Sequence, residues 1–94
     1  MMKIENNDIW VSIYVVNHNY GKYIKECLES IYNQKFNNYE VIIIDNGSTD
    51  GSRDIIKYYE HKQKTHIVFQ ENQNLSRTNN IATKIASGEY IVRV

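Results

Sequence analysis

The chain of 94 residues is 41% hydrophobic and 23% charged, with eleven basic side chains offsetting eleven acidic ones; this is the balance of one small globular domain and not the basic footprint of a nucleic-acid binder. Its single cysteine, Cys27, excludes an internal disulfide framework and a cysteine-based zinc site. No apolar run approaches the roughly 18 residues that span a membrane, and the opening MMKIENND lacks the apolar stretch of a signal peptide, so a soluble, cytoplasmic protein is expected.

Val11 to Val16 (VSIYVV) is an apolar, β-branched run of the kind that forms a strand buried on both faces. NHNYG follows as a turn cluster. From Lys22 the apolar period becomes helical, with Ile24, Cys27, Leu28, Ile31 and Tyr32 on one stripe. The burial habit of free thiols places Cys27 in the core. On the wet face Lys22 with Glu26, and Lys25 with Glu29, are spaced to pair. KFNN turns the chain, and Tyr39 to Ile44 (YEVIII) forms the second strand. In DNGSTDGS, Ser48 or Thr49 is the expected helix cap, with Asp50 in the first turn. Ile55, Ile56 and Tyr59 mark that helix's buried face. Ile67 to Phe69 is a third, shorter strand. ENQNLS leads into a helix over Ser76 to Ala86, with Ile81, Ala82, Ile85 and Ala86 on one side and Gly88 as its C′ residue. Tyr90 to Val94 (YIVRV) begins a fourth strand. Trp10, just before the first strand, is expected to pack.

Buried strands alternating with amphipathic helices predict an α/β fold: an open three-layer sandwich with a mainly parallel sheet and right-handed crossovers. In such sheets ligands bind beyond the carboxyl ends of the strands, where the strand order reverses. Three loops fall there, at Asn17 to Gly21, Asp45 to Asp50 and Glu71 to Leu75, all rich in Asn, Asp and Ser. Turns also use these residues for backbone reasons alone. No GxGxxG, GxxxxGK[ST] or GxSxG motif is present. His18, His61 and His66 lack metal-ligand spacing.

The run VSIYVVNHNYGKYIKECLESIYNQKFNNYEVIIIDNGSTDGS, with the later ENQNLSRTNNIATKIASGEYIVRV, resembles the opening of the family 2 glycosyltransferases of the GT-A fold. That pattern is a strand, a (T/S)YN-type turn, a helix ending in S(I/L)xxQ, a strand into D(D/N)GSTDGS, and a later GEYI. The resemblance covers Val11 to Val94. It implies that residues 1–94 are the N-terminal, donor-nucleotide-binding part of such a domain, incomplete after the fourth strand.

The resemblance further implies a nucleotide diphosphosugar donor, a UDP- or dTDP-sugar. Its sugar would pass with inversion to an acceptor hydroxyl, in cell-surface polysaccharide synthesis. By position Val16, His18, Asn19, Asp45 and Asn46 would hold base and ribose, and Arg77 would either meet phosphate or stand as a solvated side chain on a helix face. Val16 replaces a common Thr or Ser, Asn46 a common Asp, and Asn74 a common Gly. Mg²⁺ or Mn²⁺ is implied for the full-length enzyme, held by a D-x-D motif that the family places directly after the GEYI strand. No residue of this chain is assigned as metal ligand or general base, so the chain alone is expected to be inactive. Its sheet edge would be open to self-association. The alternative is a non-catalytic nucleotide-binding or structural α/β module.

Overall fold

The computed structural model describes residues 10–94; the polar opening, residues 1–9, lies outside the described residues. The elements follow as β1 (Val11–Asn17), α1 (Ile24–Tyr32), β2 (Tyr39–Asn46), α2 (Ser52–Lys57), β3 (Thr65–Gln70), α3 (Leu75–Ile85) and β4 (Tyr90–Arg93). The strands form one sheet in the order β3-β2-β1-β4, and every pairing is parallel. The expected open parallel sheet is observed. The strand order reverses at β1, so the switch-point crevice lies between the carboxyl ends of β1 and β4.

Side chains alternate across the sheet and divide the core in two. Ile13, Val15, Val41 and Ile43 face Ile24, Leu28 and Ile31 of α1, Ile56 of α2, and Tyr59 beyond it. Ile42 and Ile44 face Ala82 of α3, with Tyr14, Val68, Ile81 and Ile85 at the margin. Two helices on one face and one on the other make three layers. The middle strand is buried throughout from Val41 to Ile44, as the continuous apolar run YEVIII requires. Each large aliphatic side chain so buried contributes about 1.5–3 kcal/mol.

Four local expectations are corrected. Neither Ser48 nor Thr49 caps α2. The helix begins only at Ser52, behind the left-handed Gly51, and the Asp50 carboxylate accepts from the Ser52 N–H at 3.0 Å. The Ser48 hydroxyl and the Thr49 N–H are instead bonded to the first loop. Gly88 is not a C′ residue either: α3 ends at Ile85 and passes through an extended Ala86. Glycine stands at 88 because a Cβ there would lie 2.7 Å from the Ser12 nitrogen. The Lys22–Glu26 and Lys25–Glu29 pairs do not form among the described residues. Instead Glu29 accepts from the Tyr59 hydroxyl at 2.8 Å, fastening α1 to the segment after α2. Cys27 is half-buried against the first core, and burial pushes its thiol pKa up.

Trp10 packs on Phe36 and Tyr90, with ring centroids 5.9 and 6.2 Å away, and stays partly exposed. Among the described residues no helix is long and apolar enough to cross a membrane.

Candidate functional site

Because the strands are parallel, all three carboxyl-end loops open on one rim. The first two are fastened to each other residue by residue. Asn17, the last residue of β1, donates through Nδ2 to Asp45 Oδ1 and to Ser48 Oγ, each at 2.9 Å. Ser48 Oγ also accepts from the Asn19 N–H at 2.9 Å. Asn19 Oδ1 accepts from the Thr49 N–H, and Asp50 Oδ2 from the Gly21 N–H, both at 2.8 Å. Asn19 holds a left-handed backbone, φ 58°, which Asn tolerates better than most residues.

Asp45 is fully buried and faces the α1/α2 layer. Its Oδ2 accepts from Arg53 Nε at 2.8 Å and from the Ser48 N–H at 3.1 Å. The same guanidinium donates to the Gln70 carbonyl at 2.9 Å and lies 5.4 Å from the Phe69 ring centroid. Desolvation is the largest single influence and raises the carboxyl's pKa. The bonds from Arg53, Ser48 and Asn17 together outweigh it and hold the group below its ordinary value. Arg53 escaped the sequence reading. Its only signal was a cation at the start of the helix that follows Asp45.

Asn46 points the other way, toward α3. Its Oδ1 accepts from Gln70 Nε2 and from the Gln73 N–H, both at 2.9 Å. Its Nδ2 donates to Asn72 Oδ1 at 3.1 Å and to the Gln73 carbonyl at 2.9 Å. Both hydrogens and both lone pairs of the amide are used. The third loop is thereby docked on the second. Gly47 permits the approach: its φ is 77°, and a Cβ would lie 2.7 Å from the Asn72 nitrogen.

His18 is exposed, with Nδ1 2.8 Å from the Asn46 carbonyl oxygen. A carbonyl has no hydrogen to give, so Nδ1 is the donor and Nε2 is the ring nitrogen left facing outward. Arg77 lies in the first turn of α3, where its N–H donates to the capping Asn74 side chain at 2.9 Å. Its guanidinium makes no hydrogen bond or ion pair among the described residues. Val16 is half-buried and pairs with Ile44.

Val16, His18, Asn19, Asp45 and Asn46 therefore share one rim. Arg77 stands on the neighbouring third loop and shares no hydrogen bond with them. The side chains of Asp45 and Asn46 are engaged within the protein, whereas His18 Nε2 and the Arg77 guanidinium have no partner among the described residues. On the α1 side of the rim a cavity of about 250 Å³ opens between β1 and β4, lined by Asn17, Tyr20, Tyr23, Cys27 and Arg93 among others, and neither His18 nor Arg77 is part of its lining. Two buried side-chain oxygens of the strand ends, Asn17 Oδ1 and Gln70 Oε1, have no partner among the described residues.

The residues present do not fit a metal centre. Among the described residues no three His, Cys, Asp or Glu cluster as ligands. The oxygens of Asp45 and Asp50 are committed to N–H and O–H donors.

A model of the family described as "Glycosyl transferase family 2" matches residues 12–94. The putative glycosyltransferase EpsH of Bacillus subtilis is 40% identical over 82 residues, which are 86% of this chain and 24% of that protein. The poly(ribitol-phosphate) beta-glucosyltransferase of Bacillus spizizenii is 38% identical over 89% of this chain and 14% of its own length. Among solved structures, S. aureus TarS in complex with UDP superposes with a TM-score of 0.82 at 31% identity, over 92% of this chain and 27% of that one. The chain thus spans about a quarter or less of the length of these proteins. With the parallel sheet, the loop rim and the matched residues in agreement, the chain belongs to glycosyl transferase family 2.

Proposed function

We propose that this chain forms the donor-nucleotide face of an inverting glycosyltransferase. The enzyme takes a sugar from a UDP- or dTDP-sugar to an acceptor hydroxyl of a cell-surface polysaccharide, working at the cytoplasmic side. One observation carries the reading: the His18 ring is held by the Asn46 carbonyl at the carboxyl rim of a parallel sheet. The likeness to TarS, which was solved with UDP, supports a uridine nucleotide. The relative named as acting on poly(ribitol-phosphate) supports a polymer acceptor.

Within this reading the residues divide their work. The His18 ring offers a flat surface to the base, and Nε2 accepts from a base N–H or a ribose hydroxyl. Val16 borders the base. Arg77 supplies a planar, always-charged donor set suited to the diphosphate. Asn19, Asp45 and Asn46 hold the rim in shape. Mg²⁺ or Mn²⁺, when bound, neutralises the leaving diphosphate. No three His, Cys, Asp or Glu cluster as ligands among the described residues, which supports the proposal that these 94 residues alone are inactive.

Titration with UDP and dTDP, followed by amide NMR, tests the reading. Binding at millimolar nucleotide or tighter, with shifts confined to residues 17–20 and 45–48 and the start of α3, is the expected result. Incubation of the same sample with donor and acceptor should give no transfer. Absence of binding, or shifts elsewhere, rejects the donor site.

A second reading is favoured by β4, whose residues are all exposed. Tyr90, Ile91, Val92 and Val94 leave an apolar strand uncovered, and an open strand edge templates pairing with another strand. Self-association there would appear as a concentration-dependent sedimentation coefficient without nucleotide binding.

A further inference from the structure

At the amino end of the sheet, away from the rim, Glu40 is only 3% exposed. A buried carboxylate is costly unless it is fully bonded. Its Oε2 accepts from Ser12 Oγ at 2.5 Å and from the Ser87 N–H at 2.6 Å. Its Oε1 faces His66 Nε2 at 3.1 Å. Ser12 Oγ in turn accepts from the Gly88 N–H at 2.8 Å. One side chain on β2 therefore ties together β1, β3 and the segment that leads from α3 into β4. The Gly88 backbone passes so close to Ser12 that no Cβ fits.

Strand β4 has little else to fix it. Among the described residues it pairs only with β1, over four positions from Val11–Tyr90 to Tyr14–Arg93, and its side chains are exposed. Yet its carboxyl end, Arg93 and Val94, lines the crevice cavity together with Asn17 and Tyr20. A slip of one residue at the start of β4 would turn every side chain of the strand to the opposite face.

We propose that Glu40 is a positioning residue: it latches Ser87 and Gly88 onto the sheet, sets the register of β4, and so fixes the β4 side of the donor crevice. The last step rests on the donor-site reading above; the latch itself does not. Desolvation is the largest influence on Glu40 and raises its pKa. The bonds from Ser12, Ser87 and His66 outweigh it and keep the group ionised below its ordinary range.

Hydrogen exchange and UDP titration on the full chain test this with Glu40→Ala, Glu40→Gln and Ser12→Ala. Glu40→Ala should speed exchange of the β4-pairing amides Tyr90 and Val94, which donate to Trp10 and Tyr14, by about tenfold or more. The β2–β3 amides should change far less, and UDP affinity should fall severalfold. Glu40→Gln keeps an acceptor for Ser12 and Ser87 and should restore most of the protection. It should also remove the loosening of β4 that acid produces in the unsubstituted protein. Should Glu40→Ala not fold, Ser12→Ala, which deletes the Ser12 bonds to Glu40 and Gly88 but leaves the Ser87 N–H on Glu40, should give the same selective pattern more weakly.

Unchanged β4 exchange, or exchange accelerated equally in every strand, overturns the latch. Selective β4 loosening with unaltered UDP affinity overturns the positioning role. Selective loosening in a chain that binds no UDP before substitution supports the latch and rejects the donor-site reading instead.

Discussion

Asp45 and Asn46 are neighbours on β2, and the pleat turns them to opposite layers. Asp45 meets Arg53 of α2, whereas Asn46 meets Gln70, Asn72 and Gln73 beside α3. The sequence pattern marked both positions but not the division of labour, because their partners lie eight to twenty-seven residues further along the chain. The partners also explain why residue 46 is Asn where Asp is common in the resembling pattern. Nδ2 faces two acceptors, Asn72 Oδ1 and the Gln73 carbonyl, and a carboxylate oxygen there would meet both with lone pairs. Asn46→Asp should therefore destabilise the protein, by about 1–3 kcal/mol for the two acceptors left unpaired. Urea midpoints at neutral pH would show it. A variant as stable as the parent would mean that the third loop is not held by this amide.

At the level of elements, the four strands and three helices were legible because burial on a regular lattice leaves a period: continuous for β2, near 3.6 for α1 and α3. The ends of elements were not. Ser48 looked like a cap on local grounds, but its hydroxyl accepts from Asn17 and Asn19, contacts that only the closed sheet creates. Gly88 looked like a helix stop and proved to be a point of close approach to Ser12. The glycines of the second loop divide on the same logic. Gly47 has φ 77° and the Asn72 backbone in its way, whereas Gly51 has φ 92° and nothing within 4 Å. Gly51→Ala should cost about 1 kcal/mol for backbone strain alone. Gly47→Ala carries the same strain and must also push the third loop off the second, for about 1–3 kcal/mol in total. Thermal unfolding of the two variants side by side should rank Gly47→Ala as the less stable. The reverse order would place the third loop elsewhere.

Across the whole molecule buried and half-buried titratable groups set opposite edges to the pH range of stability: Asp45 and Glu40 act on the acid side, and Tyr59, with smaller upward shifts at Cys27, Tyr32 and Tyr39, on the alkaline side. Asp45 and Glu40 both titrate below their ordinary values of 3.8 and 4.5. Between the unfolded and folded values the unfolded chain binds more protons, so stability rises with pH there. Their contribution is complete above the ordinary values and disappears as pH falls through the lower folded ones. Tyr59 works in the other direction. Burial first, then its bond to Glu29, pushes the hydroxyl from 10.0 up to about 12. The folded chain holds that proton longer, so the contribution is present below 10.0 and is lost as pH rises toward 12. Urea midpoints should trace a plateau across the neutral range with a fall on each side. Tyr59→Phe separates the limbs. It loses the bond that joins the segment after α2 to α1, at about 1 kcal/mol near neutrality, and should flatten the alkaline fall while leaving the acid one intact. An unaltered alkaline limb in this variant would assign that edge to another group. A lost acid limb would mean that the two layers of the sandwich are coupled more tightly than their separate cores imply.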